Sequence, residues 1–124
     1  MQDEVLTQLH ELGELPELLE RDLSVELTLA QTGWLDGETK LEPLYTQFGL
    51  LFEHWLTEIT HRFGAPLFTE ASEPVLAQDW YEEARQLAVW RRRDAYFLLA
   101  FVHHDKETPI YLAICEREGQ TLKQ

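Results

Sequence analysis

The chain has 124 residues and a net charge of −13, with hydrophobic residues making up 44% and aromatic residues 11%. This length fits one domain, and the apolar content excludes a disordered chain. The negative charge repels nucleic acid and anionic membranes, so we expect neither as a partner.

The charge is unevenly distributed along the chain. In residues 1–62 acidic side chains far outnumber the basic ones, which are Arg21, Lys40 and Arg62. An acidic surface of this kind either keeps a protein soluble or attracts a basic partner.

Cysteine content and the first residues bear on the compartment. The single cysteine, Cys115, cannot form an internal disulfide, which fits a reducing environment. The start, MQDEVLTQLHELGELPELL, carries acids where a signal peptide carries its basic segment. No apolar run approaches the roughly 18 residues of a membrane span. We therefore expect a cytoplasmic protein.

The first third of the chain shows helical spacing with one ambiguity. Leucines three to four apart predict a helix over 3–12 that stops at Gly13. Pro16 suits the first position of a second helical stretch. Residues 24–31, SVELTLAQ, also alternate in polarity, so helix and strand both remain open there.

The clearest element is a helix over residues 42–62. Pro43 suits its first turn, and Gly64 followed by Pro66 predicts its end. One wide apolar stripe predicts the face that packs on a sheet. The stripe consists of Leu44, Phe48, Leu51, Phe52, Trp55, Ile59 and Phe63.

A polar connection, TEASEPVLAQD, leads to three strand-like runs at 86–91, 95–103 and 109–116. RRRD and HDKETP between them suit hairpin turns. We predict an α+β fold in which N-terminal helices pack on a small C-terminal antiparallel sheet, a meander of about three strands. The single domain, 1–124, is then mainly helical over 1–63 and mainly β over 64–124.

Two polar clusters lie at the turns of the predicted meander. Arg91–Arg93 could grip an anion, but without a glycine-rich loop or second basic cluster they favour a solvated turn. His103, His104 and Asp105 could ligate a metal, yet adjacent strand residues point to opposite faces. We interpret both clusters as turns.

The surroundings of the other reactive side chains also indicate that they are not catalytic. His54, Glu58 and His61 share one helix face, but that face is the polar side of an amphipathic helix. Cys115 lies in the apolar run YLAIC without a neighbouring base. No nucleophile elbow, phosphate loop or dinucleotide fingerprint occurs. We expect no enzymatic activity, no metal and no cofactor.

The segment from RFGAP through an acidic insert to LAVWRRRDAYFLLAFVHHDKETPIYLAI resembles small bacterial immunity proteins. These neutralise secreted interbacterial toxins, including effectors of the type VI secretion system. The resemblance covers about residues 57–116. It implies stoichiometric inhibition of a cognate toxin with a basic contact surface, by covering its active site or locking it in an inactive conformation.

For such a role we expect contacts from acidic and aromatic side chains in loops, while Trp55 and Trp90 belong to the core. The predicted contact residues are Trp34, Asp36, Glu38, Asp79, Trp80, Glu82 and Glu83. Three alternatives stay open: an adaptor or chaperone for a secreted effector, a small metal-dependent enzyme using His54, Glu58 and His61, and a module that binds an anion at Arg91–Arg93.

Overall fold

The computed structural model describes residues 6–118, which form a six-stranded antiparallel sheet and three helices. The strands are β1 Leu6–Leu9, β2 Leu27–Thr32, β3 Phe68–Thr69, β4 Ala84–Arg92, β5 Ala95–His103 and β6 Ile110–Glu118. The helices are α1 Leu15–Leu18, α2 Leu41–Phe63 and α3 Pro74–Trp80, and a 3₁₀ turn at Leu12–Glu14 precedes α1. The spatial order of the strands is β1-β2-β6-β5-β4-β3.

The predicted small sheet of about three strands with N-terminal helices is wrong. The meander exists as β4, β5 and β6, but β2 pairs with β6 and β1 pairs with β2. The helix predicted over 3–12 is a strand at Leu6–Leu9, and its residues 3–5 lie outside the described part of the chain. Of residues 24–31, for which helix and strand were both open, Leu27 onward belongs to strand β2, and residues 24–26 lie in the turn before it. The N-terminal third therefore adds two strands to the sheet.

Non-local pairing explains the error at β1. Leu6 and Leu9 are spaced as on a helix, but their backbones pair with Thr32 and Ala30 of β2 across a register shift. That pairing places β1 at the edge of the sheet through residues distant in sequence, and local spacing carries no trace of it.

One face of the sheet is covered by α2, as its apolar stripe predicts. Phe48, Trp55 and Ile59 are buried against residues of β4, β5 and β6. Gly64 ends the helix at a φ of 89°, a value that glycine adopts without side-chain crowding. Its carbonyl accepts a 2.8 Å hydrogen bond from the Trp90 indole and fixes the end of α2 to β4.

Within residues 6–118, α3 covers the opposite face only in part. Ala77 and Trp80 of this short helix pack with Phe68 on Leu87 and other buried residues of β4 and β5. Helix α3 lies in the segment TEASEPVLAQD and the residue after it, a segment that we predicted to be a polar connection. The β2 side of this face carries polar residues instead of a second helix.

Candidate functional site: the acidic end of the sheet

Three connecting segments meet at one end of the sheet because all the strands are antiparallel. Gln31 near the end of β2 pairs with Tyr111 near the start of β6, and His103 at the end of β5 pairs with Ile110. Ala84, the first residue of β4, pairs with Val102. The loop after β2, the segment before β4 and the β5–β6 turn therefore lie together. We call these segments, 33–40, 79–83 and 104–109, the acidic end.

Loop 33–40 presents an aromatic side chain and two carboxylates to solvent. Trp34 is 78% exposed, which is unusual for so large an apolar group. Asp36 accepts 2.9 Å hydrogen bonds from the Glu38 backbone N–H and the Thr39 hydroxyl. The bond from the Thr39 hydroxyl and then that from the Glu38 N–H lower the Asp36 pKa. The loop is thus held in a defined shape with Asp36 charged.

The β5–β6 turn is tied to that loop and carries further acids. The Leu35 backbone N–H donates to the Glu107 carbonyl at 2.9 Å. Within the turn, the Asp105 carbonyl accepts from the Thr108 hydroxyl at 2.9 Å. Asp105 and Glu107 are exposed. The sequence prediction considered Asp105 only as a metal ligand and omitted Glu107, although the acidic turn was visible in HDKETP.

His103 connects the β5–β6 turn to helix α2. His103 Nε2 lies 3.1 Å from the Thr108 carbonyl, which can only accept, so Nε2 carries the hydrogen. In the neutral ring Nδ1 then accepts from the Tyr45 hydroxyl of α2, at 2.7 Å. Burial, opposed by the Thr108 contact and assisted by the nearby Arg85 charge, lowers the His103 pKa. A neutral imidazole therefore joins the turn to α2.

Segment 79–83 supplies the third part of the acidic end. Asp79, Glu82 and Glu83 are exposed, and the Glu83 carboxylate contacts Nδ1 of His104 in the β5–β6 turn. Trp80 is only 5% exposed and packs between Phe68 and Tyr96. Its predicted role as a contact residue does not fit this position, because its apolar ring completes the core under α3.

Most carboxylates at this end lack an ion-pair partner in residues 6–118, although Asp36 accepts hydrogen bonds within its own loop. Apart from Glu83, which contacts His104, none of them lies within ion-pair distance of another residue in that range. The unpaired carboxylates are those of Asp36, Glu38, Asp79, Glu82, Asp105 and Glu107. In the three segments the acidic side chains outnumber the two lysines, Lys40 and Lys106, and this excess of negative charge favours the approach of a basic surface.

The arginines Arg91–Arg93 lie at the opposite end of the sheet and do not converge on one site. Arg91 and Arg92 end strand β4, and Arg93 lies in the β4–β5 turn. Arg91 contacts the Tyr96 hydroxyl at 3.4 Å. Arg92 forms a 2.7 Å ion pair with Glu116 and donates to the Leu19 carbonyl at 3.3 Å. Arg93 occupies the turn at a φ of 58°. This arrangement agrees with a structural turn.

The other predicted reactive residues also remain apart. His103 faces Tyr45 of α2, whereas His104 faces Tyr111, so the two point to opposite sides as expected. Burial raises the pKa of Cys115 to about 11, which leaves it a protonated thiol. Within residues 6–118 no group of three or more His, Cys, Asp or Glu side chains could hold a metal ion. None of the helices in that range is long and apolar enough to cross a membrane.

Comparison of the chain with protein-family models, with curated proteins and with solved structures found no match in any of the three.

Proposed function

We propose that this protein is an immunity protein that binds a cognate secreted bacterial toxin in the cytoplasm and inhibits it stoichiometrically. The observation that carries the proposal is the acidic end, where Trp34 stands exposed among carboxylates that have no ion-pair partner in residues 6–118. The resemblance over residues 57–116 supplies the class of partner.

The geometry of the acidic end suits fast capture and slow release. Unpaired carboxylates accelerate the encounter with a basic surface, and an exposed tryptophan provides the apolar anchor that interfaces use to slow dissociation. The hydrogen bonds of Asp36 and the link from Leu35 to Glu107 hold the loops before binding. Less conformational entropy is then lost on association.

Inhibition requires only a surface of matching shape and charge. Bound through loop 33–40, segment 79–83 and turn 104–109, the protein would cover the toxin's active site or hold it in an inactive conformation. A basic active-site cleft, such as one that binds a polyanionic substrate, would offer the complementary charge.

The test has two arms. Tagged protein is used to capture partners from its native bacterium, and the captured chain is then expressed in a susceptible host with and without the protein. We expect one stoichiometric partner that arrests growth alone and is tolerated in the presence of this protein. A captured effector that is harmless alone would instead identify an adaptor or chaperone. Absence of any partner would contradict the proposal.

A further inference from the structure

A polar cleft of about 240 Å³ opens on the side of the sheet that α3 leaves uncovered, next to the acidic end. It is lined by Glu26, Thr28, Gln31, His104, Pro109 and Tyr111. His104 and Pro109 belong also to turn 104–109, so the cleft continues the proposed binding surface onto the sheet.

A chain of hydrogen bonds holds the polar wall of this cleft in place. The Tyr81 hydroxyl donates to Glu26 Oε2 at 2.6 Å and lies 2.9 Å from the Tyr111 hydroxyl. The Tyr111 hydroxyl in turn lies 3.2 Å from His104 Nε2. Burial above all raises the pKa of both tyrosines, so both remain neutral phenols. The carboxylate of Glu26 is therefore positioned before any ligand arrives.

The charge in the cleft is not neutralised from within. Glu26 forms no ion pair with another residue in 6–118. Arg117 donates to the Trp80 carbonyl and lies over the Tyr81 ring, 5.4 Å from its centre. The remaining cation candidate, His104, is paired with Glu83. The cleft thus offers a carboxylate, several oxygen acceptors and an aromatic ring, but no free cation from the described chain.

We propose that this cleft receives one arginine side chain of the protein partner. The guanidinium group carries several donors in a planar fork, and the Glu26 carboxylate, the Gln31 amide oxygen and the Tyr111 hydroxyl are acceptors spread along the cleft. A cation is also attracted to the face of a tyrosine ring. The inference rests on the proposed function and names the chemistry of the contact.

A first test needs no partner. The full chain, labelled with ¹⁵N, is titrated with N-acetyl-arginine methylamide and followed by NMR. We expect weak, saturable shifts at Thr28, Gln31 and Tyr111, and none with the neutral citrulline analogue. Glu26→Gln should abolish the shifts, whereas Glu17→Gln on α1 should leave them unchanged. Equal shifts with citrulline or with Glu26→Gln would overturn the proposal, and equal binding of the lysine analogue would overturn the preference for guanidinium.

Glu26→Gln should fold, because the amide oxygen still accepts the Tyr81 hydrogen bond, and its thermal melting checks this. With the captured partner, we expect Glu26→Gln to weaken binding about 30-fold and Glu17→Gln to leave it unchanged. Glu26→Gln could leave the affinity unchanged while reversal of the acids in loop 33–40 weakens the complex. That result would refute the arginine contact in the cleft and leave the proposed function intact. Binding of N-acetyl-arginine methylamide without capture of any partner would refute the proposed function and leave the assignment of the cleft as an arginine site intact.

Discussion

The two ends of the sheet carry clusters of opposite charge. The two clusters differ in how far their side chains are paired within the molecule. At the arginine turn, 91–94, side chains are used inside the molecule: Arg92 connects β4 to Glu116 of β6 and to the carbonyl that follows α1. At the acidic end, the carboxylates of loop 33–40 and turn 104–109 have no ion-pair partner in residues 6–118. Both clusters are conspicuous in the sequence. Only the acidic one has charged side chains without internal ion pairs, and these are available to a binding partner.

The largest effect expected from this difference is on binding. Reversing three exposed acids of the acidic end to lysine places like charges opposite the basic partner, and we expect affinity for the captured partner to fall about 100-fold. The triple variant is Asp36→Lys, Glu38→Lys and Glu82→Lys. Calorimetric titration measures the loss, and stopped-flow mixing should show that association slows most at low salt.

The control reverses the same amount of charge elsewhere. Glu17, Glu20 and Glu53 are exposed on or near α1 and on α2, away from the acidic end. Their replacement by lysine should change the affinity far less. Equal losses in the two triple variants would show that overall charge, and not this surface, governs binding.

The second effect concerns stability at the other end. Arg92→Ala leaves the Glu116 carboxylate and the Leu19 carbonyl without their partner in a largely buried position, and we expect the free energy of unfolding to fall by about 2 kcal/mol. Urea denaturation measures it. Arg93→Gly is the matched control: it removes an arginine from the same turn but suits the φ of 58°, so stability should not fall. Similar losses in both variants would contradict the structural assignment of Arg92.

The third effect separates the two tryptophans of the predicted contact set. Trp34→Ala should weaken partner binding about 10-fold without lowering the melting temperature, because its ring is 78% exposed. Trp80→Ala should lower the melting temperature, because its ring is buried under α3. A stability loss in Trp34→Ala would mean that the ring packs on the fold and is not available as an anchor.

The smallest effect is a pH dependence at the acidic end. The His103 pKa is lowered from its ordinary 6.5, so below pH 6.5 the unfolded chain binds more protons at this residue than the folded one. The neutral ring therefore stabilises the fold fully above pH 6.5, and this contribution is lost as the pH falls through the lower folded pKa. His103→Gln should flatten the stability profile in that window. An unchanged profile from urea melts between pH 7 and 5 would contradict the neutral contact with Tyr45.

Strongly periodic segments were predictable from the sequence. The helix predicted over 42–62 is Leu41–Phe63, and the strand predicted over 95–103 is Ala95–His103. Each of these elements buries a regular series of apolar side chains, which leaves a strong local pattern.

Short elements and their meeting points were not predictable in the same way. The helix α3 buries little more than Ala77 and Trp80, too few for a periodic signal, although Pro74 after an acidic residue marked its start. Asp36 and Glu82 were expected as contacts from their residue type and their predicted position in loops. Their placement at one end of the sheet depends on β2 pairing with β6, a contact between distant parts of the chain.

The central claim is that the acidic end is the binding surface, and hydrogen–deuterium exchange of the protein alone and bound to its captured partner tests it most directly. We expect slower exchange on binding in loop 33–40, segment 79–83 and turn 104–109, with no change at the arginine turn 91–94. Protection confined to 91–94 or to the exposed side of α2, with the three acidic segments unchanged, would contradict the claim.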